Sequence, residues 1–150
     1  MKRNILDIAI VVTGVAFAAA CVACAPAGGQ DDVLQQTKQF IAYNRSITLT
    51  PQQAVVMKEA LSAMPAPCCS NYTAASCCCK CNMARTIWGL SKHMIAHQNQ
   101  GVEEVRQGVS DWIKSINPGG FSGRACFNGG CNRPFNKDGC GGMKASNIIY

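Results

Sequence analysis

The chain is poor in charged residues, aromatic residues and histidine. Charged residues make up 15% of its 150 residues, aromatic residues make up 7%, and histidine occurs only twice. Its basic residues are dispersed, without a basic run or an interleaved aromatic platform, which argues against nucleic acid as a partner. Phosphate-binding loops, serine-hydrolase elbows, c-type haem attachment sites and paired catalytic carboxylates are also missing. These absences favour a protein that is not an enzyme, and no catalytic residue is predicted.

Cysteine, in contrast, is unusually frequent. The chain has 11 cysteines in 150 residues, far more than an ordinary cytosolic enzyme carries. Hydrophobic residues make up 48% of the sequence, which is too many for a disordered polar chain. The length suits one domain. Composition therefore predicts a single folded, cysteine-rich domain.

The first 20 residues have the pattern of an export signal. Lys2 and Arg3 precede an apolar run that ends in three alanines before Cys21. Residues 18–21 resemble the lipobox of bacterial lipoproteins, whose cysteine is lipidated, and Cys24 is a second candidate. Cleavage after Ala27 would instead give a secreted protein, and an uncleaved membrane anchor is a third interpretation. All three place the rest of the chain outside the cytoplasm, on the periplasmic or cell-surface side.

The chain divides into three predicted segments: a signal peptide (1–20), a flexible tether (21–32) and one cysteine-rich helical domain (33–150). Apolar residues recur at intervals of three and four, and Thr50-Pro51 has the form of a helix start. Helices are predicted over 33–43, from Pro51 to the Pro65 region, from about Asn82, and from about Val102 to Ile116. The expected fold is mainly α, a small bundle of about four helices with an irregular Cys/Gly-rich C-terminal segment.

The Gly-rich segment 119–143 has almost no apolar periodicity. Such a segment needs disulfides, a metal or a partner surface to hold it in place. The segment before the third helix, residues 68–82, is predicted to be a cysteine-rich loop.

The densest group of thiols lies at residues 77–81. Alternate side chains of an extended chain share a face, so Cys77, Cys79 and Cys81 are expected to converge. Adjacent cysteines form strained disulfides, which makes crowded thiols better suited to binding a metal. The helix start that follows, with Lys80 beside it, should lower the thiol pKa and favour the thiolate.

His93 and His97 lie four residues apart on one predicted helix, so both imidazoles can face one ion. Three thiolates and one of these histidines would form a tetrahedral Zn²⁺ site or a soft Cu(I) site. About 18 Å of helix separates Cys81 from His93, so the loop must fold back or the histidines serve another site. The alternative for both histidines is exposure on an amphipathic helix.

The remaining cysteines of the domain would form a second metal site or disulfides: Cys68, Cys69, Cys126, Cys131 and Cys140. Beyond Cys24 the chain has nine cysteines, an odd number that cannot pair completely unless Cys24 takes part. Two alternatives to a metal site therefore stay open. One is a disulfide-stabilised structural or interaction domain without metal, and the other is a thiol–disulfide redox protein whose attacking residue is Cys78 or Cys81.

The spacing Cys77-x-Cys79-x-Cys81, after Met64-Pro65, resembles the motif of the PCYCGC or CYCxC family of exported bacterial proteins and lipoproteins. Cys78 and Lys80 stand where that family has tyrosine and glycine, and Ser76 stands where it has proline. The resemblance implies an export signal, a helix before the motif, a downstream histidine and a metal- or redox-linked role.

Taken together, these features predict an exported, lipid-anchored Cys/His-rich protein that binds Zn²⁺ or Cu(I) for metal handling or sensing. Its expected partners are the membrane, through the N-terminal lipid, and another protein.

Overall fold

The computed structural model describes residues 29–150, and four α-helices form most of this part of the chain. The helices are α1 (Gln30–Ser46), α2 (Pro51–Ser62), α3 (Asn82–Gln98) and α4 (Val102–Ile116). After α4 the chain is irregular apart from two short 3₁₀ turns, Gly130–Asn132 and Phe135–Lys137. The prediction of a mainly α fold with an irregular C-terminal segment is confirmed.

The predicted export signal, the lipidation candidates Cys21 and Cys24 and the cleavage point at Ala27 lie outside the described residues. Helix α1 begins at Gln30, inside the stretch predicted to be tether. Between residues 29 and 150 no helix combines the length and the apolar character needed to span a bilayer.

The helix boundaries follow from local signals in the sequence. The Thr50 hydroxyl accepts a hydrogen bond from the Gln53 N–H at 3.3 Å, and the Gln53 side chain accepts one from the Thr50 N–H at 3.0 Å. This reciprocal capping box satisfies two N–H groups at the start of α2. Helix α3 ends at Gln98 and is followed by Asn99, whose φ of 52° lies in the left-handed region that terminates helices.

A short antiparallel ribbon connects α2 to α3. Its strands are β1 (Pro65–Ala66) and β2 (Cys69–Thr73), with Pro65 opposite Thr73 and Ala66 opposite Cys69. A 3₁₀ turn, Ala74–Ser76, follows β2. The segment predicted as a cysteine-rich loop therefore begins with an extended strand, and its irregular part is limited to residues 77–81.

Helices α1 and α3 pack so closely that one residue must lack a side chain. A Cβ added to Gly89 of α3 would overlap the carbonyl group of Phe40 in α1. Helix α4 buries one stripe, Val105, Val109, Trp112 and Ile116, against the same core. The apolar periodicity of α4 in the sequence is thus explained by its packing.

The irregular C-terminal segment is attached to the bundle by an aromatic side chain. Phe135 is completely buried and makes an edge-to-face contact with Trp112, with ring centroids 6.0 Å apart. Trp112 makes a similar contact with Phe40 at 6.3 Å. Aromatic contacts therefore join α1, α4 and the C-terminal segment. The sequence did not predict this attachment, because the C-terminal segment has no apolar periodicity.

Candidate metal centre

The nine cysteines of residues 29–150 come from three stretches of chain that meet at the N-terminal end of α3. They lie in the ribbon (Cys68, Cys69), in the loop before α3 (Cys77, Cys78, Cys79, Cys81) and in the C-terminal segment (Cys126, Cys131, Cys140). All nine are thiols, and no two of them are joined as a disulfide in this part of the chain. The fold thus gathers side chains from positions more than 70 residues apart in sequence.

Three of these thiols form a compact buried group. The Sγ atoms of Cys68, Cys81 and Cys140 all lie within 4.8 Å of one another, and all three residues are completely buried. The thiol of Cys77 adjoins Cys68 and Cys81, which influence its pKa, although its sulfur is not one of the three that lie within 4.8 Å of one another. We call these four residues the inner centre. In a tetrahedral site with Zn–S bonds of about 2.3 Å, neighbouring sulfurs lie roughly 3.8 Å apart, so only a small contraction is needed.

Hydrogen bonds to the start of α3 place Cys140 beside Cys81. The N–H groups of Asn82 and Met83 donate to the carbonyls of Gly142, at 2.9 Å, and Cys140, at 3.0 Å. These donors belong to the first turn of α3, where helical partners are absent. The C-terminal segment therefore caps α3 and brings its own cysteine to the N-cap residue, Cys81.

The side chain of Asn82 reinforces this arrangement. Asn82 is completely buried, and its Nδ2 group donates to the carbonyls of Gly141 at 2.8 Å and Lys144 at 3.0 Å. Its Oδ1 atom accepts a hydrogen bond from Arg85 at 3.2 Å. The sequence alone predicts only that a helix begins near Asn82. A buried polar residue with this many partners is recognised only when the tertiary contacts are known.

A second set of backbone contacts holds the ribbon against the C-terminal segment. The Ser70 N–H donates to the Gly123 carbonyl at 2.8 Å, and the Cys126 N–H donates to the Cys68 carbonyl at 2.9 Å. Gly123 has a φ of 69°, and a Cβ there would lie 2.9 Å from that of Ser70. This close pairing brings Cys126 next to the two cysteines of the ribbon.

The other five thiols form a second, more open group beside the first. The Sγ atoms of Cys69, Cys78 and Cys126 lie within 4.8 Å of one another, and so do those of Cys79, Cys126 and Cys131. We call these five residues the outer centre. The Sγ atoms of Cys78 and Cys126 are 3.5 Å apart. Cys78 is exposed, whereas Cys69 is buried.

The inner centre favours a thiolate at one position. The pKa of Cys81 is lowered because its sulfur accepts hydrogen bonds from the thiols of Cys140, Cys68 and Cys77. Cys81 makes no direct capping bond, but the N–H of Ala84 in the first turn lowers its pKa further. The pKa of Cys68 is raised because its thiol is the hydrogen-bond donor to Cys140 and to its other neighbours.

Three thiols of the outer centre favour the protonated form. Burial of the sulfur is the largest influence on Cys78 and Cys79 and raises the pKa of each to about 12. The pKa of Cys126 is also about 12, chiefly because its thiol donates to Cys78. A metal must therefore displace protons from these sulfurs, and its affinity will fall as the pH falls.

The thiols predicted to form one site lie close together but belong to two groups. Cys81 groups with Cys68 and Cys140, which were predicted for a second site or for disulfides, whereas Cys79 groups with Cys126 and Cys131. The pKa of Cys79 is nevertheless affected by Cys81 and Cys77, so the two groups adjoin. A metal site made of Cys77, Cys79 and Cys81 stays a prediction.

The two histidines lie further along α3, away from its thiol-rich N-terminal end. The ring of His93 stacks on Tyr43 of α1, with centroids 4.4 Å apart and planes 6° apart, and its centroid is 5.3 Å from that of His97. Within residues 29–150, every group suited to a metal consists of cysteines alone. A role for His93 or His97 as metal ligand stays a prediction.

The chain matches no family model, no curated protein and no solved structure in comparisons with known proteins. The similarity to the CYCxC family therefore stays a prediction. The function is therefore inferred from the chemistry of the site.

Proposed function

We propose that this is an exported, lipid-anchored protein whose inner centre binds one Zn²⁺ ion through Cys68, Cys77, Cys81 and Cys140. The observation that carries the proposal is the mutual approach of three completely buried thiols, with the thiol of Cys77 adjoining them. Free cysteine often packs in cores as a small apolar residue, so burial alone does not mark a ligand. The convergence of sulfurs from the ribbon, the loop and the C-terminal segment does mark a set of ligands.

Zinc is preferred to Cu(I) here because Cys77 adjoins the three buried thiols and can supply a fourth sulfur. A tetrahedral set of thiolates is typical of structural zinc sites, which leave no open position for a substrate. The lowered pKa of Cys81 supports the proposal, since the thiolate is the form that binds metal.

The ion would hold together segments that come from distant parts of the chain. The energy of binding a structural metal appears as folding energy, because the unfolded chain lacks a preformed site. The ligands lie before α3, at its N-cap and in the C-terminal segment, so one ion would tie all three together. The predicted lipid on Cys21 would keep this domain at the membrane surface, where metal handling or sensing is the function we propose.

A direct test is an anaerobic native mass measurement of the chain after export to a periplasm. We expect the mass to exceed that of the metal-free chain by one zinc ion and to return to the metal-free value on chelation. The chelated chain should also have a lower melting temperature than the zinc-loaded chain. Cys81→Ser should lose the ion, whereas Cys78→Ser, a matched change at an exposed thiol, should retain it.

If Cys81→Ser does not fold, Co²⁺ substitution in the unaltered chain provides a second measurement. Co²⁺ bound by four thiolates absorbs strongly through sulfur-to-metal charge transfer. A metal-free mass lacking two hydrogens for each bridge would contradict the proposal in favour of a disulfide framework. Insulin reduction that is lost in both Cys78→Ala and Cys81→Ala would contradict it in favour of redox chemistry.

A further inference from the structure

The outer centre has a geometry that the proposed zinc site does not use. Its five thiols form two triads, Cys69–Cys78–Cys126 and Cys79–Cys126–Cys131, and the sulfurs of each triad lie within 4.8 Å of one another. Cys126 is the member that both triads share. A sulfur in that position can bridge two metal ions, because a thiolate has more than one lone pair to donate.

The outer centre is on average more exposed than the inner one. Cys78 is exposed and Cys79, Cys126 and Cys131 are half-buried, with Cys69 alone buried, whereas three of the four inner thiols are completely buried and only Cys77 is half-buried. Apolar packing does not explain an exposed thiol 3.5 Å from another one. An ion bound here would be reachable by a competing ligand or by the thiols of another protein.

We propose that the outer centre binds two Cu(I) ions, each held by three thiolates, with Cys126 as the bridging ligand. This second site extends the proposed metal-binding function, and it relies on the inner centre only as a folded support. Binding exchanges the thiol protons for Cu(I) and leaves the centre negatively charged. Lys80, beside Cys79, and Arg124, close to Cys126 in sequence, are exposed cations that can offset part of this charge.

Cu(I) is favoured over Zn²⁺ here because of the number and type of donors. Each triad supplies three sulfurs, and its group includes no histidine or carboxylate. A structural Zn²⁺ site needs four ligands, whereas Cu(I) is a soft ion that thiolates select and that accepts three of them. The shared sulfur also makes the two ions interdependent, a property that experiment can detect.

The experiment is a titration of the zinc-loaded chain with Cu(I), performed without oxygen in the presence of bicinchoninate as a competing ligand. We expect two Cu(I) ions to bind per chain without loss of zinc. Cys126→Ser should weaken both binding steps, each by more than the roughly ten- to hundredfold that loss of a supporting hydrogen-bond partner causes. Cys131→Ser should weaken only one step.

Three results would overturn the inference. They are a stoichiometry other than two, release of zinc during the first two equivalents, and a loss in Cys126→Ser no larger than that in Cys131→Ser. Zinc retained by each variant shows that it is folded. Zinc content before the titration tests the inner centre alone, so the proposed function and this inference can fail separately. X-ray absorption of the copper-loaded chain adds a readout, since a shared thiolate predicts Cu–Cu scattering.

Discussion

Replacing Asn82 with alanine should release the C-terminal segment from α3 and weaken the inner centre. The Nδ2 group of Asn82 donates to three carbonyls of that segment, the two nearest at 2.8 and 3.0 Å, and Asn82 is completely buried. The variant removes these three bonds and opens a small cavity beside Cys81, although the two nearest carbonyls each keep a backbone N–H donor. Cys140 belongs to the same segment, so a metal ligand loses its support.

The magnitude follows from the number of contacts. A buried hydrogen bond contributes about 1 kcal/mol net, with a range of roughly 0.5–1.5 kcal/mol. Because Asn82 loses three bonds to the segment, we expect a loss of about 2–4 kcal/mol in the free energy of unfolding. If metal binding must re-order the segment, the same energy corresponds to a loss of about thirty-fold to a thousand-fold in zinc affinity.

Urea unfolding of the zinc-loaded chain, together with competition for zinc by a chelator, measures both effects. Asn71→Ala is the matched control, because Asn71 is exposed on β2, and it should change neither value appreciably. A loss below about 1 kcal/mol in Asn82→Ala would show that the hydrogen bonds do not hold the segment. Unchanged zinc affinity in a destabilised variant would show that Cys140 is positioned in another way.

Two further predictions concern α1, α3 and α4. Gly89→Ala should destabilise the chain in the same urea measurement, because the new Cβ meets the backbone of α1 and this outweighs a gain of about 1 kcal/mol in helix propensity. In Gly108→Ala the new Cβ meets only the flexible end of the Met94 side chain, so this variant should be neutral or stabilising. In an NMR titration the pKa of His93 should lie below 6.5, because burial and the neighbouring His97 disfavour its cation, and His97→Gln should raise it. The folded state then binds fewer protons at His93 than the unfolded chain does, so this contribution to stability is present above pH 6.5 and is lost as the pH falls below it. Equal stability of the two alanine variants, or a His93 pKa that His97→Gln leaves unchanged, would contradict these interpretations.

Local sequence was sufficient to predict the helices. Thr50 and Pro51 predict the start of α2, and apolar spacing predicts the bounds of α4, because capping and amphipathic burial depend on neighbouring residues. The same reasoning predicted the helix at Asn82. It did not predict the ribbon, whose strands are short and are partly paired with the C-terminal segment rather than only with each other.

The sequence by itself determined that many thiols crowd the start of α3 and that they are suited to a metal. Only the tertiary structure decided which thiols meet. Cys79 belongs with Cys126 and Cys131, and Cys81 belongs with Cys140, because hydrogen bonds from the first turn of α3 and from the ribbon fix the path of the C-terminal segment. Those bonds join backbone groups far apart in sequence, and backbone groups leave no pattern in residue types. The ligand sets are therefore a property of the folded chain.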